Sequence, residues 1–210
     1  MIEIRLANTN DVNLLNKLIA VSARELSRDI YSEQEIEGAI KYIFGVDTQL
    51  IDDGTYFVII KEGEIAGCGG WSKRKTLFGG NQFSGREEAV YLDPSKDAAK
   101  IRAFFIHPQF ARQGLGSMLL KHCENEARLN GFTQLEMMAT LPGVKLYKTL
   151  VYKEVSEEVI MLPNNTSLSF VRMTKNLTEL VTSITTISVF GKQIKDSDKL
   201  GCAKVYQLSP

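Results

Sequence analysis

Residues Ile101 to Leu120 read IRAFFIHPQFARQGLGSMLL, and the fold follows from this stretch. An apolar run of strand type meets His107-Pro108, then the turn Arg112-Gln113-Gly114-Leu115-Gly116, then a long amphipathic helix. Strand, glycine turn and helix in this order make a phosphate cradle. Glycines let backbone N–H groups converge where a Cβ would intrude. The helix that starts there adds its own unpaired N–H groups and the positive end of its dipole. Such a cradle suits a nucleotide-like pyrophosphate.

Two familiar nucleotide motifs do not fit. A dinucleotide fingerprint requires glycine three residues after Gly116, where Leu119 stands, and no ribose-binding acid follows in a βαβ unit. A phosphate-binding P-loop requires Gly-Lys-Ser/Thr after four intervening residues, and no such run occurs. By itself the remaining turn is also compatible with plain architecture, because many helices simply start after one.

Working outward, Ile2 to Leu6 alternates as a strand. Asn10-Asp11 is expected to cap a helix whose Val12, Leu15, Leu18, Ile19 and Ser22 fall at helical spacing. Ser32 with Glu35 has capping-box spacing and opens a second helix through Ile36, Ile40 and Ile43. Tyr56 to Ile60 and Ile65 to Trp71 form a hairpin across Lys61-Glu62-Gly63-Glu64. Residues 72 to 96 show no periodicity and read as an insertion or long loop. After the strand Ala103 to Ile106, a helix runs from about Gly116 to Asn130, closed by Gly131. Its Leu119, Leu120, Cys123 and Ala127 share one face. Then follow a strand at Gln134 to Ala139, a Pro142-Gly143 break, a short helix at Val144 to Leu150, and an antiparallel pair at Val155 to Met161 and Ser169 to Thr174. The sum is an α/β (α+β) domain, a mixed and mostly antiparallel central sheet flanked by helices.

Bulk properties narrow the function. The 210 residues are 44% hydrophobic, enough for one well-buried core. Lys+Arg and Asp+Glu are both 25, so no basic excess marks a nucleic-acid partner. Cys68, Cys123 and Cys202 are widely spaced and odd in number, which points to reduced thiols rather than disulfides or zinc. No signal peptide and no membrane span are read in the sequence, so a cytoplasmic protein with no membrane partner is expected.

The later segment Thr140 to Tyr152 identifies the turn. With Ile106-His107-Pro108, Gly114 and Gly116, and then Thr140, Gly143, Leu146-Tyr147 and Val151-Tyr152, the chain resembles the GNAT superfamily of N-acetyltransferases over about residues 2 to 175. The family loop follows Gln/Arg-x-x-Gly-x-Gly/Ala, and here Ala111 takes the leading place. The family's Asn-x-x-Ala-x-x-Leu/Phe-Tyr and Gly-Phe are represented by Thr140, Gly143, Leu146-Tyr147 and Val151-Tyr152. The tyrosine and its spacing are kept.

The resemblance implies the acyl-CoA N-acyltransferase fold over residues 1–176, with residues 177–210 as a C-terminal extension of unknown structure. It implies acetyl-CoA as co-substrate, with no metal, and a small-molecule or peptide amine as acceptor. The donor is expected to lie against Phe104, Phe105, Ile106, Arg112, Gln113, Gly114, Leu115, Gly116, Ser117, Thr140 and Tyr147. The main chain near Phe105 and Ile106 would stabilise the developing negative charge, and Tyr147 would be the general acid. Read from the residues alone, Tyr147 is a packing aromatic on an amphipathic helix, sharing a face with Leu150 and Val151. Glu136 is the candidate general base, and His107 reads as structural or solvent-facing. Acceptor specificity is expected from the first two helices, the residues near Trp71 and the 72–96 insertion. Asp29, Glu33, Glu35 and Glu37 would suit a cationic amine or simply form a solvated helix face. The missing Asn and strand glutamate leave a second reading open, a non-catalytic acyl-CoA-binding sensor module. The extension is a candidate homodimer contact.

Overall fold

The computed structural model describes residues 1–85 and 90–177. The chain order is β1 (Ile2–Leu6), α1 (Val12–Ser27), α2 (Glu33–Tyr42), α3 (Thr48–Asp52), β2 (Tyr56–Lys61), β3 (Glu64–Ser72), β4 (Ala99–Ile106), α4 (Leu115–Leu129), β5 (Gln134–Thr140), α5 (Leu141–Thr149), β6 (Lys153–Met161) and β7 (Ser167–Asn176). The strands make one seven-stranded sheet in the order β1-β2-β3-β4-β5-β7-β6. Only β4 and β5 run parallel, and every other pairing is antiparallel.

Alternation along β2 explains the layers. Phe57 and Ile59 turn to one face, where they meet Leu115, Leu119, Leu120, Cys123 and Ala127 of α4. Tyr56 and Val58 turn to the other, against Leu15, Leu18 and Ile19 of α1. Phe170 and Met138 continue that second face and pack with Ile36, Ala39 and Ile43 of the α2 segment. Truncating a side chain as buried as Leu15 or Leu119 costs on the order of 2–5 kcal/mol.

Local signals account for most element ends. Ser32 and Glu35 form the expected capping box at α2. Glu62 and Gly63, at φ 55° and 86°, give the β2–β3 hairpin two consecutive left-handed residues, which match the twist of the flanking strands. Gly131, at φ 88°, follows α4 as expected.

Several boundaries differ from the sequence reading. Asp11 holds the N-cap position of α1 as expected but makes no side-chain cap bond there; the capping bonds come one turn earlier, from Asn8. A short 3-10 turn at Thr9–Asp11 intervenes, and its capping box pairs Asn8 with Asp11. Asp11 is held there by both nitrogens of Arg5, at 2.8 and 2.9 Å. Pro142-Gly143 does not break the chain but lies inside the first turn of α5, where proline's missing N–H costs nothing. The five-residue helix α3 is too short to show periodicity and is an addition to the expected order. Leu177, expected in the extension, belongs to the core. Its side chain is buried and its N–H donates to the Thr133 carbonyl at 2.8 Å. The rest of the 177–210 extension lies outside the described residues.

In the insertion, Arg74 pairs with Asp53 at 2.6 and 2.7 Å and bridges in register to Tyr91. Leu77 to Gly80 of the same stretch line a cavity over the sheet with Ile43, Phe44 and Phe170.

Candidate active site

The site begins with a fault in β4. Cys68 pairs with Phe105 and Gly70 with Arg102, so two steps along β3 match three along β4. The extra residue is a bulge, and Ala103 takes φ 54° to make it. A left-handed alanine costs roughly 1–2 kcal/mol, so the surrounding sheet must hold it. One restraint is the Tyr56 hydroxyl, which donates to the Ala103 carbonyl at 3.3 Å. The parallel pairing of β4 with β5 stops at the same level, after Ile101 and Met137. Beyond that point the two strands share no ladder, and a gap opens between them.

The backbone of β4 points polar groups into this gap. The His107 N–H donates to the Ala66 carbonyl on β3 at 2.8 Å. Because N–H direction alternates along an extended strand, the Phe105 N–H also faces β3, and those of Phe104 and Ile106 face the gap. Phe105's amide lies against the Cys68 thiol, and burial pushes that thiol up to about 12 despite help from Tyr56 and this amide. The Phe105 N–H, expected with that of Ile106 among the main-chain donors to the site, is thus turned toward β3.

A cleft of about 500 Å³ runs from the gap to the start of α4. Its far end is built by Arg112, Gly114, Leu115, Gly116 and Ser117. Arg112 and Gly114 are left-handed, at φ 61° and 82°, and this pair of turns delivers the chain into the helix. The Met118 N–H is bonded to the Gly114 carbonyl at 3.0 Å, and the N–H groups before it have no carbonyl one turn back to meet. At Gly116 a Cβ would come within 3.2 Å of Leu146, so a larger side chain would crowd the cradle against α5. Among the described residues, Arg112 and Lys145 line the cleft and no carboxylate does. Two cations, a helix N-terminus and no acid suit a polyphosphate ligand.

A second cavity of about 70 Å³ adjoins the cleft, on the α2 side of the sheet. The two share Phe44, Phe104, Phe105, Thr140 and Tyr147. Tyr147 is thus placed at the junction. Its side chain is buried, 8% exposed, and its ring meets Tyr152 edge-on with centroids 6.0 Å apart. Burial raises its phenol to about 12. Its hydroxyl has no hydrogen-bond partner among the described residues.

The chain matches the model of the acetyltransferase (GNAT) family over residues 20–150. It belongs to the GNAT acetyltransferase family. Solved structures agree on the fold. A GCN5-related N-acetyltransferase from Rhodopseudomonas palustris superposes with a TM-score of 0.62 at 16% identity, covering 83% of this chain and 95% of its own. The PaiA N-acetyltransferase of Thermoplasma acidophilum, solved with coenzyme A, gives 0.54 at 14% identity over 84% and 99%. YncA of Salmonella typhimurium, solved with its cofactor acetyl-CoA, gives 0.55 at 14% identity over 84% and 94%. No curated protein matches the chain.

In this GNAT enzyme the structure gathers most of the expected residues. Phe104, Phe105, Ile106, Arg112, Gly114, Leu115, Gly116, Ser117, Thr140 and Tyr147 all line the cleft. Gln113 does not: its side chain accepts from Lys61 and donates to the Gln109 carbonyl, at 3.1 Å, on the outer side of the turn. Glu136 does not either, and its expected role as base is corrected. Its carboxylate is 5% exposed, lines neither cavity, and is held between Lys100 and Arg172. Burial alone would raise its pKa, but the two cations outweigh that and hold it below the ordinary glutamate value. A carboxylate so stabilised is a poor proton acceptor.

Other lining residues were invisible in the sequence. Ser22, Ala23, Leu26 and Ser27 reach the cleft from the last turns of α1. Phe44 reaches both cavities from just beyond α2, and no motif marks it. Lys145 could have been found, because it follows the Pro142-Gly143 turn by two residues and precedes Tyr147 by two. Among the described residues, no group of three or more His, Cys, Asp or Glu is placed to hold a metal, and no helix is long and apolar enough to cross a membrane.

Proposed function

We propose that this chain transfers the acetyl group of acetyl-CoA to a primary amine by direct attack, with both substrates bound together. One observation carries the reading. A cationic cleft headed by a helix N-terminus leads, through a gap in the sheet, to a buried tyrosine hydroxyl at the mouth of a second cavity.

The residues present fit the donor. The α4 N-terminus with Arg112 and Lys145 would hold the phosphates, and the unladdered edge of β4 would hold the pantetheine arm in the gap. The bound donor supplies the activated acetyl group. The Phe104 and Ile106 N–H groups are preorganised where negative charge develops on the carbonyl oxygen, and one such donor is worth roughly 3 kcal/mol of barrier. The acceptor nitrogen enters from the second cavity. As the new C–N bond forms and the C–S bond breaks, the Tyr147 hydroxyl gives its proton to the departing sulfur. The proton released by the acceptor nitrogen restores it.

Among the described residues, neither cavity is lined by a carboxylate or an imidazole. The acceptor therefore reacts as the neutral amine, having lost its ammonium proton to solvent. Holding the two partners in register supplies the remainder of the rate.

Thiol release from acetyl-CoA, followed across a panel of amines, tests this reading. Amine-dependent release with an acetylated product supports it. Tight binding of CoA with no release in the presence of any amine would instead make the chain an acyl-CoA-binding module.

A further inference from the structure

Thr140 precedes α5 without capping it, since its side chain makes no hydrogen bond to the helix. The first donor of α5 finds its partner elsewhere. The Leu141 N–H donates to the Tyr31 hydroxyl at 2.8 Å, and that hydroxyl donates to the Ser169 carbonyl on β7 at 2.5 Å. Tyr31 lies 110 positions before Leu141 and 138 before Ser169, so neither bond belongs to a local turn. The strand register explains the arrangement. Thr140 pairs with Phe170 in the last step of the β5–β7 ladder, and one step more would set Leu141 opposite Ser169. The Tyr31 hydroxyl takes up both groups where the next ladder bond would close. There β5 ends, and the chain turns into α5.

Tyr31 is itself firmly held. Its side chain is buried in the cluster of Ile36, Leu168 and Phe170. Its N–H donates to the Ser27 carbonyl at 2.9 Å, and Ser32 with Glu35 caps the helix that follows. Arg24 of α1 reaches Glu37 of α2 at 2.6 and 2.8 Å, across the loop that carries the tyrosine. Burial raises the phenol to about 12, so its proton stays available to Ser169 through the neutral range. The helix it starts has less to hold it. Tyr147 is the one buried residue among the nine of α5, so the pose of the helix depends on its ends.

We infer that Tyr31 is a positioning residue for acetyl transfer, its hydroxyl fixing the start of α5 and thereby the place of the Tyr147 phenol. This rests on the reading that Tyr147 gives its proton to the departing sulfur. Tyr31 lines neither cavity, so it reaches the chemistry through α5 and not by touching a substrate. From Leu141 the helix leads within two turns to Gly143, which abuts the Tyr147 ring, and to Tyr147 itself. The same tyrosine follows α1, whose last turns line the donor cleft at Ser22, Ala23, Leu26 and Ser27. One hydroxyl therefore joins the helix beside the donor to the helix that carries the acid.

Tyr31→Phe keeps the ring in its cluster and removes only the oxygen, leaving the Leu141 N–H and the Ser169 carbonyl to shift toward new partners. With acetyl-CoA and the amine of the panel that releases thiol fastest, kcat should fall about tenfold, because small misplacements of a catalytic group slow the chemistry. KM for acetyl-CoA should stay within about threefold, since the phosphate turn on α4 is untouched. In the Tyr147→Phe background the same change should lower kcat by less than about twofold, because the hydroxyl that Tyr31 positions is already gone. A general prop of the fold would lower kcat equally in both backgrounds, and that result would overturn the inference. So would an unchanged kcat in Tyr31→Phe. In the parent protein the Leu141 amide should exchange its hydrogen at least about 100-fold more slowly than in the unfolded chain, although first-turn amides commonly lack a partner. An unprotected Leu141 amide would overturn the inference without any variant and leave the acetyltransfer reading standing. If Tyr147→Phe keeps full turnover, or no amine releases thiol, the reading beneath this inference fails and the inference falls with it.

Discussion

Gly143 and Tyr147 are packed so closely that a Cβ on Gly143 would stand 2.8 Å from the Tyr147 ring. The glycine sets where the phenol rests at the junction of the two cavities. Tyr147→Phe should lower kcat by about 100-fold, the low end of general acid catalysis, and leave the CoA affinity nearly unchanged. Gly143→Ala should lower kcat by displacing a ring that is still present. Steady-state rates beside calorimetric CoA titration separate the two effects. Full turnover in Tyr147→Phe would eliminate the acid role.

Burial raises the Tyr147 phenol to about 12, so it stays protonated through the range in which an alkyl amine loses its ammonium proton. The rate should therefore climb with pH toward the acceptor's own pKa. No alkaline fall traceable to Tyr147 should appear below about pH 11. A descending limb near pH 8 to 9 in a protein that remains folded would contradict this.

The same burial has a stability consequence. Tyr31 is raised to about 12 by desolvation, and Tyr56 and Tyr152 are also raised by burial. Below pH 10 these phenols are neutral in both folded and unfolded chains, and their contribution is fully present. Above pH 10 the unfolded chain sheds protons that the folded one retains, so stability falls as pH rises toward 12. Tyrosinate absorbance should show Tyr31, Tyr56, Tyr147 and Tyr152 ionising together with unfolding rather than along a simple curve centred at 10.

Gly116→Val should weaken CoA binding by at least about tenfold, because its side chain would crowd the cradle against Leu146, which lies 3.2 Å from the Cβ position. Arg112→Ala and Lys145→Ala should each raise KM for acetyl-CoA several-fold, and the difference from the parent should shrink in high salt. Titration calorimetry at two ionic strengths checks all three.

Glu136→Gln should destabilise the fold by roughly 3 kcal/mol, since it leaves Lys100, 11% exposed, without its full counter-charge. Below the lowered Tm, kcat should stay within about twofold of the parent. Chemical denaturation with parallel activity assays distinguishes this from a catalytic base, whose loss would lower kcat without the change in stability.

Much of the donor half of the site was legible because its signals are local. The Gly114-x-Gly116 turn, the strand before it and the helix after it lie within twenty residues, and Tyr147 keeps its place after Thr140. The acceptor half was not legible. Phe44, Phe78 and Phe170 meet around one cavity from three distant segments, and each alone reads as an ordinary core aromatic. Glu136 was misread for the same reason. Its partners Lys100 and Arg172 are each 36 positions away, and pairing along β5 is what brings both to it.

Alternation, capping and glycine placement act over a few residues, so the chain alone determined the strands, the main helices and the phosphate-binding turn. Where β4 leaves β5 is a different kind of fact. It depends on a left-handed Ala103 held by β3 and on a parallel ladder that ends at Ile101, interactions between segments more than thirty residues apart. Only tertiary packing could open that gap, seat Tyr147 beside it and turn the phenylalanines toward one another, because burial and strand register are properties of the assembled sheet.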